Sequence, residues 1–101
     1  MLIDATSAAI SGLRAAGVRL GTSAHNVANL LTEDFRSERV IQSDEPTRGV
    51  SARVERAPVP AEVDLASEFV DQDLAALQGR ASLRVLDVQL DLLGSLLDLH
   101  R

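Results

Sequence analysis

The sequence predicts a mainly α-helical chain: two long terminal helices folded as an antiparallel helical hairpin or coiled coil, with a small β-hairpin between them. Three observations carry this expectation. Apolar residues recur with a period of seven over residues 3 to 31, and they step by three and four over residues 62 to 99. Residues 32 to 61 lose that spacing and gather turn formers and alternating residues instead. The organisation that follows is a helix in 1–31, a linker with a β-hairpin in 32–61 and a helix in 62–101, read as one structural unit.

The first helix is expected from about Asp4, or Thr6 and Ser7, to Leu30, a length of about 40 Å at the usual rise per residue. One seam reads Ile3, Ile10, Gly17, Ala24, Leu31 and the other Leu13, Leu20, Val27, with Thr6 as its polar member. Gly12, Gly17 and Gly21 weaken an isolated helix by about 1 kcal/mol each relative to Ala. They are either tolerated imperfections or, with Ala8, Ala9, Ala15 and Ala16, flat patches for close backbone approach.

The linker opens on Thr32, Glu33 and Asp34, which suit a short capped turn. Residues 39–42 (RVIQ) and 50–56 (VSARVER) read as two strands, the second alternating Val50, Ala52, Val54 against Ser51, Arg53, Glu55. Pro46 and Gly49 mark the turn between them, and Pro58 and Pro60 stop the second strand. Glu62 and Asp64 then favour the start of a helix, where carboxylates meet free backbone N–H groups.

In the last segment Leu83, Leu86, Leu90, Leu93 and Leu97 form one stripe. A second runs beside it through Val70, Leu74, Leu77, Ala81, Val85, Val88, Leu92, Leu96 and Leu99, and Asp87, Asp91, Gly94, Ser95 and Asp98 form a narrow polar edge. A two-helix seam hides only a narrow stripe, so a helix this widely apolar needs neighbours from other chains. Each buried Leu contributes roughly 1.5 to 3 kcal/mol, which makes self-association the expected solution.

Composition narrows the function further. The net charge is -5, Lys is absent, and Phe35 and Phe69 are the only aromatic residues, a poor basis for gripping phosphates or stacking bases. Nucleic acid is therefore not expected as a partner. Residues 61 to 101 hold three Arg against eight acids, whereas the front of the chain is neutral. That acidity either solvates an oily helix or complements the Arg-bearing front half of a neighbour.

With no Cys, disulfide and thiolate chemistry are excluded. Asp4 stands where a secretory signal would be basic, so Sec export is not encoded, and acids interrupt the oiliest region well short of a membrane span. His25 and His100 lie far apart in sequence without ligand-like spacing, and no nucleophile elbow or phosphate loop is present. The expectation is a protein that is not an enzyme and takes no cofactor, metal or small-molecule substrate.

Ala8-Ala9-Ile10-Ser11-Gly12-Leu13-Arg14-Ala15, then Arg19-Leu20, then Ala24-His25-Asn26-Val27-Ala28-Asn29, then Thr32-Glu33-Asp34-Phe35 occur in that order. Near the end come Val63-Asp64-Leu65-Ala66-Ser67-Glu68-Phe69-Val70 and Leu93-Gly94-Ser95-Leu96-Leu97-Asp98-Leu99, with Gly49-Val50 and Val54 between. This pattern resembles the axial proteins of the bacterial flagellum, most closely the short proximal rod proteins of the basal body. His25 departs from the family's first Asn, Asp34 from its usual Gly, and Leu77 to Ser82 from its usual Q-R-[AS]-[FY]-Q-A-N; the centre is also short.

The resemblance implies a structural subunit of the periplasmic rod, exported without a cleaved signal through the flagellar type III apparatus. Its partners would be other rod subunits and itself, assembling through the terminal helices into a helical tube. On that reading the assembly interface includes Ile10, Leu13, Leu20, Asn26, Val27, Asn29 and Phe35 of the front half. Leu86, Leu90, Leu93 and Leu97 join it from the back half. Asn26 and Asn29 share a helix face, where they could bond across an interface or cap the helix; Phe35 is an anchor or ordinary core. The alternative is a diverged rod-like hairpin acting as a soluble regulatory or chaperone-like binder of one partner protein.

Overall fold

The computed structural model describes residues 2–46 and 48–99. Helix α1 spans Leu2–Ala28, strands β1 and β2 span Glu38–Glu45 and Gly49–Arg56, and helix α2 spans Leu65–Leu99. The strands pair antiparallel with Glu38 opposite Arg56 and Val40 opposite Val54. The protein is thus mainly helical, two helices with a two-stranded antiparallel sheet between them in sequence. Each strand begins earlier or runs longer than the alternation alone suggested, because the pairing continues to Glu45 opposite Gly49.

The helix ends follow from local chemistry. Asn29 closes α1: its side-chain amide donates to the His25 carbonyl at 2.9 Å, and its side-chain oxygen accepts from the Thr32 hydroxyl at 3.0 Å. The chain then turns through Asp34, whose φ of 55° lies in the left-handed region. Asp tolerates that conformation better than most residues. Asp64 caps α2, its carboxylate accepting from the Ala66 and Ser67 amides at 3.1 and 3.4 Å and from the Ser67 hydroxyl at 3.0 Å. These hydrogen bonds, led by that from the Ser67 hydroxyl, hold its pKa below the ordinary value.

The two helices pack together, and the sheet packs on α1. Their partners run in opposite order: Gly12 meets Ser82, Ala16 meets Gly79, Ser23 meets Gln72, and Asn26 meets Glu68. Two ties hold the sheet to α1. At the turn, the Val50 amide donates to the Ser11 hydroxyl at 3.0 Å, and that hydroxyl donates to the Ala8 carbonyl at 2.7 Å. At the open end, the side chain of Asn26 holds the backbone of Glu38.

The core is small. Ala9, Ala15, Ala16 and Ala75 are the buried apolar residues, joined by Thr22, Ser23 and Asn26. Extents of 64 × 23 × 14 Å and a radius of gyration of 17.5 Å describe a rod. A compact domain of this length has a radius near 13 Å.

Candidate assembly surface

The seam between the helices is a seven-residue repeat, but of other residues than the leucine pattern suggests. On α1 it reads Ala9, Gly12, Ala16, Arg19, Ser23, Asn26, and on α2 Glu68, Gln72, Ala75, Gly79, Ser82, Leu86, Gln89, all buried or half-buried. Every α1 member stands one position before the expected Ile10, Leu13, Gly17, Leu20, Ala24 and Val27. One residue is about 100° around a helix, so the expected seam faces away from α2's axis. Ile10, Gly17, Leu20 and Ala24 are exposed, and Leu13 and Val27 are half-buried. The side chain of Ile3 lies outside the described residues.

Size and hydrogen bonding decide between the two stripes. A Cβ on Gly12 would come within 2.5 Å of the Ser82 hydroxyl oxygen, so the backbones approach closely only because the seam is made of small residues. The polar members are satisfied in place. Asn26, 1% exposed, donates from its amide nitrogen to the Glu38 carbonyl at 2.7 Å and to the Glu68 carboxylate at 2.9 Å, while its oxygen accepts from the Glu38 amide at 2.9 Å. Ser23 donates to the Glu68 carbonyl at 3.0 Å and accepts from Gln72 at 3.1 Å.

Gln78 forms a second junction. It accepts from Arg19 at 2.7 Å and donates to the Gly12 carbonyl at 3.2 Å and to Gln42 of the sheet at 2.8 Å. A leucine seam would widen the gap between the helices and break both junctions.

The residues expected at an interface therefore separate into two groups. Asn26 and Asn29 do not act as a pair: the first bonds to β1 and α2, the second closes α1 locally. Phe35 is half-buried against His25, with ring centroids 5.5 Å apart. Leu86 is half-buried on the seam, whereas Leu90 and Leu97 are 65% and 63% exposed and Leu93 is also exposed. The second α2 stripe, Val70, Leu74, Leu77, Val85, Val88 and Leu92, is exposed along its whole length.

Sequence reasoning offered Gly12 as a point of close backbone approach, where it lies against Ser82, and missed Ser11, Ser23, Glu68 and Gln78 as contact points. Ser11 and Glu68 stand in the short motifs quoted above, which were their signal; in this fold those positions hold the chain together internally. Ser23 stands in no quoted motif and its only signal is the seam spacing; Gln78 lies beside the seam, in the segment Leu77 to Ser82.

The solvent-accessible surface is 7302 Å². A compact monomer of this mass exposes about 5,500 Å², so roughly 1,800 Å² is in excess. The difference reflects the elongated shape, which exposes more surface per unit mass than a compact body.

Among the described residues no helix is long and apolar enough to cross a membrane, and no group of three or more His, Asp or Glu could hold a metal ion. His100 lies outside the described residues. His25 sits 3.8 Å from the Glu38 carboxylate on the surface. No protein-family model matches the chain, and no characterised protein matches it.

Proposed function

We propose that this chain is a structural subunit of the bacterial flagellar basal body rod, exported by the flagellar type III apparatus and assembled through its terminal helices. In that assembly the two helices form a coiled-coil hairpin, and neighbouring hairpins cover one another's outer stripes to build a helical tube. One observation carries the reading: the folded chain leaves its leucine-rich stripes largely uncovered on a rod-shaped body. The motif resemblance supplies the particular assembly.

The chemistry is that of a scaffold. The core of the described residues buries four alanines, a fraction of the apolar area a stable domain of this size hides, so most of the hydrophobic stabilisation waits for neighbours. Purified protein should be partly unfolded or oligomeric at micromolar concentration, and a compact, cooperatively melting monomer in the ultracentrifuge would contradict this.

In cells, the protein should co-purify with detergent-extracted basal bodies, and deletion of its gene should stop filament growth. A soluble regulatory or chaperone-like hairpin is favoured by the altered Leu77 to Ser82 segment. That protein would stay in the soluble fraction, and its deletion would leave cells flagellated and motile.

A further inference from the structure

The β-hairpin has two edges, and its register fixes which backbone groups lie along them. Glu38 stands opposite Arg56 and Glu45 opposite Gly49, and the Ala57 amide extends the ladder by donating to the Ser37 carbonyl at 2.8 Å. In an antiparallel pair, bonded and non-bonded residue pairs alternate. Arg39 with Glu55, Ile41 with Arg53 and Ser43 with Ser51 are therefore the bonded pairs, and the N–H and C=O groups of Val50, Ala52, Val54 and Arg56 point away from β1. Two contacts agree with this parity. The outward Val50 amide reaches the Ser11 hydroxyl, and the outward amide and carbonyl of Glu38 reach Asn26.

The two edges are not equally protected. β1 has Asn26 at Glu38, and its Gln42 side chain meets Gln78 of α2. β2 is tied at Val50 alone; past that point the outward groups of Ala52, Val54 and Arg56 have no partner among the described residues. The exposed Val54 stands in the middle of that stretch. A free strand edge is a template for a further strand.

Charge selects which strand and in what register. On the face of β2 opposite to Val50 and Ala52, Arg53 and Glu55 pair with each other at 3.2 Å, and Arg39 joins Glu55 at 3.8 Å. Antiparallel pairing of two β2 edges about a two-fold axis at Val54 sets each Arg53 opposite the Glu55 of the other copy and each Ala52 opposite Arg56. Moving the axis to Arg53 opposes two arginines and moving it to Glu55 opposes two glutamates, and like charges directly opposite are destabilising. An axis at Ala52 needs the Val50 amide, which Ser11 already holds.

We infer that two copies of this chain join β2 edge to β2 edge, antiparallel about Val54, into a four-stranded sheet. A two-fold contact closes on itself. It lies outside the terminal helices through which the proposed assembly runs, so either can fail without the other, and co-purification with basal bodies bears on the rod alone.

Because the chain has no Cys, single cysteines read the register. Full-length Arg53→Cys and Glu55→Cys, differently tagged, are mixed and oxidised. The mixed 53–55 disulfide should exceed the 53–53 and 55–55 products at least tenfold, because these residues meet in a non-bonded pair, where side chains stand closest. Adding Val54→Pro to both variants removes the outward N–H at the axis without taking a bond from the hairpin. It should cut the mixed product at least tenfold, while the Ile41 amide, bonded within the hairpin, stays protected from exchange.

In the protein without substitutions, the Ala52 and Val54 amides should exchange at least tenfold more slowly at high than at low protein concentration. Dominant like-with-like disulfides, or a mixed product indifferent to the proline, would overturn the inference. Absence of both the disulfide and the concentration-dependent protection would also overturn it and leave the edge to a strand from another protein.

Discussion

The inner seam and the outer stripes of the two helices share a seven-residue spacing, offset by one position on α1 and by two on α2, and they are built from largely different materials. The seam takes mostly Ala, Gly, Ser, Asn, Gln and Glu, with Arg19 and Leu86, and it holds the chain by close backbone approach and hydrogen bonds. The stripes take mainly Leu, Ile and Val and are mostly exposed, Leu13 and Val27 being half-buried. A periodic pattern reports that a helix has two faces; side-chain size and polar pairing decide which one is used at home. The oilier face here is the one turned outward, the reverse of the usual arrangement in a monomer.

Substitutions that strike one side and spare the other test that division. The largest effect is expected outside. Leu74→Asp with Val88→Asp, or Leu93→Asp alone, should abolish association, because each would bury an unpaired carboxylate at a cost of several kcal/mol. Circular dichroism of the dilute double variant should match the parent, since Leu74 and Val88 already face solvent. Loss of helix in that variant would mean that the outer stripe stabilises the subunit itself.

Inside, Asn26→Ala should be the most damaging change. It leaves the Glu38 amide and carbonyl and the Glu68 carboxylate without the partners they now have. At 1 to 3 kcal/mol for each buried group left unsatisfied, the loss is about 3 kcal/mol, read as a lower denaturation midpoint. Glu68→Gln should cost less, because a neutral amide oxygen still accepts from Asn26. Equal losses in the two variants would locate the effect elsewhere than in this junction.

This contrast explains how much was legible in the sequence. Both helices, the β-hairpin and a helix start near Glu62 and Asp64 follow from spacing and turn residues that act locally, although α2 begins only at Leu65, after the Asp64 cap. The seam was misplaced by one residue because hydrophobicity marks the oilier stripe, and the pairing of Asn26 with Glu38 and Glu68 across 12 and 42 residues has no local trace. Val54 shows the same limit: alternation groups it with Val50 and Ala52, yet it is exposed while they are half-buried. Only the docking of the ribbon on α1 separates them.

Gly49→Ala tests the tie between the hairpin turn and α1. Gly49 has a φ of 101°, and a Cβ there would approach the Ala8 Cα to 2.8 Å and its carbonyl oxygen to 3.0 Å. Backbone atoms yield little, so the turn should lift from α1 and stability should fall by about 2 kcal/mol. Ser11→Ala removes the hydrogen bond to Val50 while keeping the close packing and should lose about 1 kcal/mol. Amide exchange at Val50 reads both, and unchanged protection in Gly49→Ala would refute the docking.

Gln89 supplies a change of the opposite sign. Its side-chain oxygen is buried on the seam with no hydrogen-bond partner, a state that costs about 1 to 3 kcal/mol. Replacing it with Leu removes the unsatisfied group and extends the apolar contact, so Gln89→Leu should raise the thermal midpoint by the equivalent of about 1 kcal/mol. A lower midpoint would show that the glutamine is already satisfied in solution.

The smallest expected effect comes from Asp64, far from both seam and stripes at the start of α2. Its carboxyl is held below the ordinary value of 3.8, chiefly by the Ser67 hydroxyl and the Ser67 amide. A depressed folded pKa means that the charged form favours the folded state. The contribution is therefore fully present above the unfolded pKa and disappears as the pH falls through the folded one. The first turn of α2 should fray slightly more in acid below about pH 4 than at neutral pH, seen as faster exchange of the Ser67 amide after normalising for the intrinsic rate. Asp64→Asn keeps a side-chain oxygen for the cap and removes the titration, so its exchange should be flat across that window. Persistent acid fraying in Asp64→Asn would assign the effect to another carboxylate, with Glu68, which accepts from Asn26 one turn further along, as the next group to neutralise.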